Sequence, residues 1–127
     1  MIYGIGTDIV QISRMETKLN RSGDAFAQSI LSMQEWTQYI SFNERQKVAF
    51  LAKRFAAKEA LVKALRTGFR EPNLLSNISV LNDENNAPYF SVSNGMEEWL
   101  NNKNIKKLHL TISDEKDYAI AFVVAEI

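Results

Sequence analysis

The sequence predicts an α+β protein in which a mostly antiparallel sheet packs against one long helix. Three observations lead there. From Ser41 the chain reads SFNERQKVAFLAKRFAAKEALVKALRTG, with neither Pro nor Gly until Gly68, which predicts a long helix with a glycine stop. ISVLN and PYFSV flank the polar NDENNA and read as an antiparallel hairpin. Near the end, LHLTIS alternates, DEKD turns, and YAIAFVVAEI closes the chain as a strand with an apolar core run.

The remaining elements fall between these. Residues 2–10 predict a first strand. Ser13 with Glu16 is a capping-box pattern that opens a helix fading around Asn20–Gly23, and a short helix covers Asp24 to Ile30. Ser32 with Glu35 makes another box, starting a helix through Trp36 and Tyr39. Ser41 with Glu44 makes a third, with Asn43 as an alternative cap for the same start. Asn94 with Glu97 opens a last short helix carrying Trp99 and Leu100.

At 127 residues, with no repeat or linker, the chain is expected to form one domain over 1–127. Fifteen basic residues balance fifteen acidic ones, so no overall field attracts nucleic acid or an anionic membrane. Any phosphate must be held by local placement. The absence of cysteine excludes disulfides, thiolate metal sites and a cysteine nucleophile, and the single His109 excludes a multi-histidine metal site. With no apolar stretch of membrane-spanning length and no signal-peptide pattern, a cytoplasmic domain is expected.

Chemistry is suggested first by MIYGIGTDIV. Alternate strand residues share a face, so Gly4, Gly6 and Asp8 point one way. Two missing side chains beside a carboxylate leave a groove that a backbone or ligand can approach closely. It is not a dinucleotide fingerprint, because the third glycine and the immediate helix are missing. The plainer alternative is that the glycines allow tight packing and Asp8 caps a turn.

On the long helix, Phe50, Leu51, Phe55, Leu61, Val62 and Leu65 make a broad apolar arc, with Arg54 and Lys58 in its middle. Nearly opposite lie Glu59 and Lys63, beside Ala52 and Ala56. Glu59 and Lys63 could be an ordinary i,i+4 surface pair worth about 0.3–0.5 kcal/mol. Two cations on an apolar stripe need anionic partners or a route to water. Together, Asp8 and Glu59 suit a hard divalent cation such as Mg²⁺, and the nearby cations suit a diphosphate substrate.

GIGTDIV, RFAAKEALVKA with its F-x-x-KE-x-x-x-K spacing, and HLTIS…YAIAFVVAE together resemble holo-acyl-carrier-protein synthases, the small bacterial branch of the 4′-phosphopantetheinyl transferases. The resemblance spans essentially the whole chain. It implies the phosphopantetheinyl transferase fold and Mg²⁺-dependent transfer of 4′-phosphopantetheine from coenzyme A to a serine of apo acyl carrier protein. Adenosine 3′,5′-bisphosphate would be released, in support of fatty acid biosynthesis.

By the same resemblance Asp8 and Glu59 match metal ligands, Lys63 the lysine at the transferred phosphate, and Arg54 a coenzyme A phosphate ligand. Arg45 and Lys47 match further contacts at the nucleotide end. Asn85 and Pro88 fall in the hairpin that a neighbouring subunit of a homotrimer brings to the site. The serine proton would go to Glu59 or to a metal-associated water. Arg14, Lys18 and Arg21 form one basic stripe on the first helix, which is either a solvated face or, as in the family, a dock for the acidic carrier protein. Met15 is a further candidate contact.

The sequence departs from the family in two places. Asn86-Ala87 replaces a Gly-Lys pair in the hairpin turn, and Asp114 stands where many members carry a histidine. His109 reads as an ordinary strand residue and does not take over that role. Two other functions use the same residues: a Mg²⁺-dependent hydrolase of the coenzyme A diphosphate, needing no carrier protein, and a non-catalytic coenzyme A-binding module.

Overall fold

A computed structural model describes residues 1–127. Strand β1 (Ile2–Gln11) leads into helices α1 (Ile12–Ser22), α2 (Asp24–Ile30) and α3 (Met33–Tyr39), then the long α4 (Glu44–Leu65). After a 3-10 turn at Leu75–Asn77 come β2 (Ile78–Asn82), β3 (Pro88–Val92), α5 (Met96–Asn102), β4 (Lys107–Asp114) and β5 (Tyr118–Glu126). All strand pairings are antiparallel, but they form two sheets: β1-β5-β4, and a separate β2-β3 hairpin.

Alanines on β5 decide how close α4 comes to the three-stranded sheet. Ala119, Ala121, Val123 and Ala125 alternate inward and are buried, while Tyr118, Ile120 and Phe122 face out. On β1 a Cβ at Gly4 would overlap the carbonyl oxygen of Ala64, and one at Gly6 that of Ala60. The glycines therefore serve the approach of a helix backbone. Ala56, Ala60 and Ala64 present the matching small surface and are fully buried. The opposite side of α4 buries Leu51, Leu61 and Leu65 in the same core. Truncating one such leucine to alanine costs about 2–5 kcal/mol.

The ends of α4 are set locally. Asn43, not Ser41, is the cap: its Oδ1 accepts the Gln46 N–H at 2.9 Å while Gln46 Oε1 accepts the Asn43 N–H at 3.1 Å. The helix stops before Gly68, because Arg66 turns left-handed (φ 65°) and its guanidinium donates to the Tyr3 carbonyl at 2.9 Å.

Two other caps also differ from the sequence pattern. Helix α1 starts at Ile12 without the Ser13–Glu16 box, and the Ile12 N–H donates to the Asp117 carbonyl at 2.9 Å. Helix α5 takes Gly95 (φ 89°) as its cap, and Asn94 instead donates from its amide to Asn77 Oδ1 at 3.0 Å. The Ser32–Glu35 box forms in full. No helix is long and apolar enough to cross a membrane.

Candidate active site

Asp8 is the next inward residue after Gly4 and Gly6, where the glycine-lined contact with α4 ends. Its side chain is 16% exposed, and Lys63 Nζ lies 3.2 Å from its Oδ1. The same ammonium donates to the Thr7 carbonyl at 3.0 Å. Lys63 thus pairs with Asp8 across the seam, rather than with Glu59 along its own helix. Its side chain is 52% exposed, so the pair is screened by water and worth no more than about 1 kcal/mol.

Glu59 is half-buried beside this pair. Partial burial pushes its carboxyl above the usual glutamate range; the charge of Asp8 pushes the same way and Lys63 opposes both. Two acidic groups therefore feel each other at one place, with the half-exposed Lys63 ammonium bonded to one of them. They border a cleft of about 200 Å³ whose lining also includes Phe55, Met15, Arg14 and Lys18. Carboxylates and basic helix thus share one opening. Met15 is itself buried, and Lys18 Nζ lies 5.9 Å from the Phe26 ring centre. Arg21, exposed in the last turn of α1, lies outside the cleft lining.

The remaining basic candidates stand elsewhere on the chain. Arg45 lines a neighbouring opening of about 430 Å³ with Ser13, Asn20, Glu44 and Lys116. Lys47 Nζ lies over the Tyr39 ring at 5.2 Å. Arg54 projects about 140° around the helix from Glu59. It is 6% exposed and stacks on Phe50 at 4.1 Å, donating to the Val80 carbonyl and to Asn82 Oδ1. Burial pushes its guanidinium down, with only Glu35 opposing through its charge.

Asn85 sits in the hairpin turn, where its N–H donates to Asp83 Oδ1 at 2.8 Å, and Pro88 begins β3. Asn86 is left-handed at φ 62°, a conformation asparagine adopts more readily than most residues. None of Lys47, Arg54, Asn85 or Pro88 lines the Asp8 cleft of their own chain. Asp114 is exposed at the end of β4, and His109 Nε2 lies 2.9 Å from Glu126 Oε1 on the sheet surface.

Lys58 found the anion its position demanded. Its Nζ lies 2.6 Å from Glu35 Oε1, and both side chains are fully buried. The sequence signals Glu35 only as a helix cap, and nothing in its spacing connects it to Lys58. Phe55 was readable as an apolar-arc residue but not as the wall of the cleft. The organising role of Asp83, whose Oδ1 accepts two N–H groups of the turn, was also missed. An Asp just before a run of Asn is the turn signal that could have found it.

A long helix laid on an antiparallel sheet brings two carboxylates and a lysine together at their seam, the side-chain types that metal-assisted phosphoryl transfer uses. The chain belongs to the 4′-phosphopantetheinyl transferase superfamily, whose family model matches residues 4–123. It is similar to the holo-[acyl-carrier-protein] synthase of Aliivibrio fischeri, with 48% identity over 98% of both chains. Its fold is similar to the crystal structure of holo-[acyl-carrier-protein] synthase from Neisseria meningitidis, at TM-score 0.95 and 42% identity over 100% of both chains. The Helicobacter pylori synthase, solved in complex with coenzyme A, aligns at TM-score 0.82 and 33% identity, covering 96% of this chain and 99% of that one.

Proposed function

We propose that this chain, as one domain over 1–127, transfers 4′-phosphopantetheine from coenzyme A to a serine of an apo acyl carrier protein. The observation that carries the reading is the Asp8–Glu59–Lys63 group on a cleft shared with the basic helix α1. Similarity to carrier-protein synthases over nearly the whole chain supports the choice of substrates.

In the reaction the serine oxygen bonds to the pantetheine-side phosphorus of the diphosphate. The bond from that phosphorus to the bridging oxygen breaks, and adenosine 3′,5′-bisphosphate leaves. The all-oxygen pair Asp8 and Glu59 fits Mg²⁺, which prefers such donors and keeps positions for water and phosphate. When bound, that ion supplies charge neutralisation at the diphosphate. Lys63 is half-exposed on a flexible stem, so its ammonium can leave Asp8 and donate to phosphate oxygens as negative charge develops. Glu59, or a water held at the site, takes the serine proton. Arg14 and Lys18 at the cleft, with Arg21 further along α1, steer and seat the acidic carrier protein.

The outer face of the three-stranded sheet leaves Ile5 60%, Ile9 62% and Phe122 42% exposed. An apolar face of this kind favours burial against further copies. We assign it to a homotrimer with sites between subunits. In that assembly Asn85 and Pro88 of the hairpin would reach coenzyme A at a neighbour's cleft, while Arg54 would bind its phosphates and Arg45 and Lys47 its nucleotide end. The reading places the enzyme in the cytoplasm and gives it no nucleic-acid or membrane partner.

The test is intact mass of an apo acyl carrier protein after incubation with this protein, coenzyme A and Mg²⁺. A gain of one phosphopantetheine on the serine, abolished by EDTA, is expected. Coenzyme A consumed without any gain on the carrier would identify a hydrolase instead.

A further inference from the structure

Strands β2 and β3 form a sheet of their own, and an isolated two-stranded hairpin is marginal in water. Ile78 and Val80 anchor it in the apolar core, and charged side chains add a second attachment. Lys58 Nζ donates to the Ile30 carbonyl at 2.7 Å, to Glu35 Oε1 at 2.6 Å and to the Leu75 carbonyl at 3.2 Å. Glu35 passes the contact on: its Oε2 accepts the Val80 N–H at 2.7 Å and its Oε1 the Ser32 N–H at 2.9 Å. Ser79 adds a hydroxyl bond of 2.6 Å to Ser32. One helical turn before Lys58, Arg54 donates to the Val80 carbonyl at 3.3 Å and to Asn82 Oδ1 at 3.1 Å. Both main-chain groups of Val80 are therefore gripped by charged side chains.

The burial of this pair is not explained by stability alone. Well-packed hydrophobic residues often replace a buried ion pair without loss. They would not supply register. Directional bonds to the N–H and C=O of one residue fix a strand along its own length, and a slip of one residue would turn every side chain over. Lys58 has all three ammonium donors engaged, and Glu35 has both oxygens bonded and is fully buried, which gives the pair a structural rather than an acid–base role. Two residues past Val80 the strand ends at Asn82, and the turn beyond it bears Asn85 and leads to Pro88.

We propose that Glu35 and Lys58 are positioning residues for the coenzyme A site, setting through Val80 where the β2–β3 hairpin tip stands. The inference rests on the transferase reading, in which that tip meets coenzyme A. The pair acts through the hairpin and not on the Asp8 cleft, so its loss acts on coenzyme A binding and spares metal binding.

The experiment compares the parent with Glu35→Leu/Lys58→Met, which removes both charges together. The double variant is expected to unfold cooperatively near the parent's Tm and to exchange its Val80 amide hydrogen faster. Its KM for coenzyme A should rise about tenfold or more, a typical cost of misplaced binding groups, with kcat little changed. Mn²⁺ affinity, as a probe of Asp8 and Glu59, should match the parent's. An unchanged KM, or a Val80 amide as protected as before, overturns the proposal. Where the double variant does not fold, Glu35→Asp keeps both charges but shortens the reach to Val80, and the same two readings decide. A parent chain that neither binds coenzyme A nor modifies a carrier protein overturns the transferase reading itself, whereas failure of the clamp alone leaves the parent active.

Discussion

Lys58 and Glu59 are neighbours on one helix, yet they live under opposite rules. Lys58 points into the core, where burial pushes its ammonium below the usual lysine range and the charge and hydrogen bond of Glu35 pull it back. Three acceptors fill its coordination and no water reaches it. Glu59 points to the β1 seam, half-exposed, repelled by Asp8 and not bonded to the one lysine near it. The contrast separates architecture from chemistry. A buried charge with every partner in place is locked; a partly wet acidic pair keeps oxygens open to solvent.

The largest expected break in this contrast is on the wet side, in activity. Glu59→Gln or Asp8→Asn should lower carrier-protein modification by about two to four orders of magnitude while circular dichroism stays that of the parent. Residual transfer near the parent's rate in both variants would remove the seam from the mechanism.

On the dry side the largest effect is on stability. Lys58→Met alone strands the Glu35 carboxylate in the core and should cost about 3–5 kcal/mol in chemical denaturation. Lys63→Met removes a half-exposed cation and should cost no more than about 1 kcal/mol, yet abolish most transfer. Equal stability losses in the two variants would erase the distinction.

Gly6→Ala tests the packing that brings both sides together. Its methyl must displace the Ala60 carbonyl region of α4, and a loss of about 1–3 kcal/mol is expected, read as a lower denaturation midpoint.

The smallest effect concerns pH. The folded-state carboxyl of Glu59 sits above its unfolded value, so the native chain holds more protons than the unfolded one between the two. Stability of the metal-free protein should therefore fall as pH rises through that window. Glu59→Gln should flatten this part of the Tm–pH curve and raise Tm slightly at neutral pH, even as it removes activity. A steeper curve in the variant would reverse the assignment.

Much of this was legible in the sequence because it is local. The hairpin spans, the helix at Asp24–Ile30, the Ser32 box and the alternation of the last strands follow from periodicity and turn chemistry. The two-residue difference at the end of α4 came from expecting glycine to do what Arg66 does with help from Tyr3. Asp8 and Glu59 could be read as a pair, but Lys63 crossing to Asp8 could not, since it depends on how α4 lies across β1. Ala52 and Ala56 already mark the second side of α4 as one that something approaches closely, and both are buried; that the partner is the Gly4–Gly6 face of β1 depends on how the two elements pack. Glu35 and Lys58 belong to different helices, so no spacing rule joins them.

The pairing of β1 with β5 also joins the two ends of the chain at the site. Asp8 lies opposite Ala121, and the Ile127 N–H reaches the Met1 carbonyl at 2.7 Å, so the first strand is completed by the last. Helix α4 lies on both of these strands, so its sheet-facing side is covered only when the two ends of the chain have met, and a pairing this distant in the chain closes slowly. The carboxylate of Asp8 gets its frame only when that closure is made. The site thus depends on both ends of the chain at once: a change that unseats β5 would reach Asp8 although β5 carries none of the site's side chains.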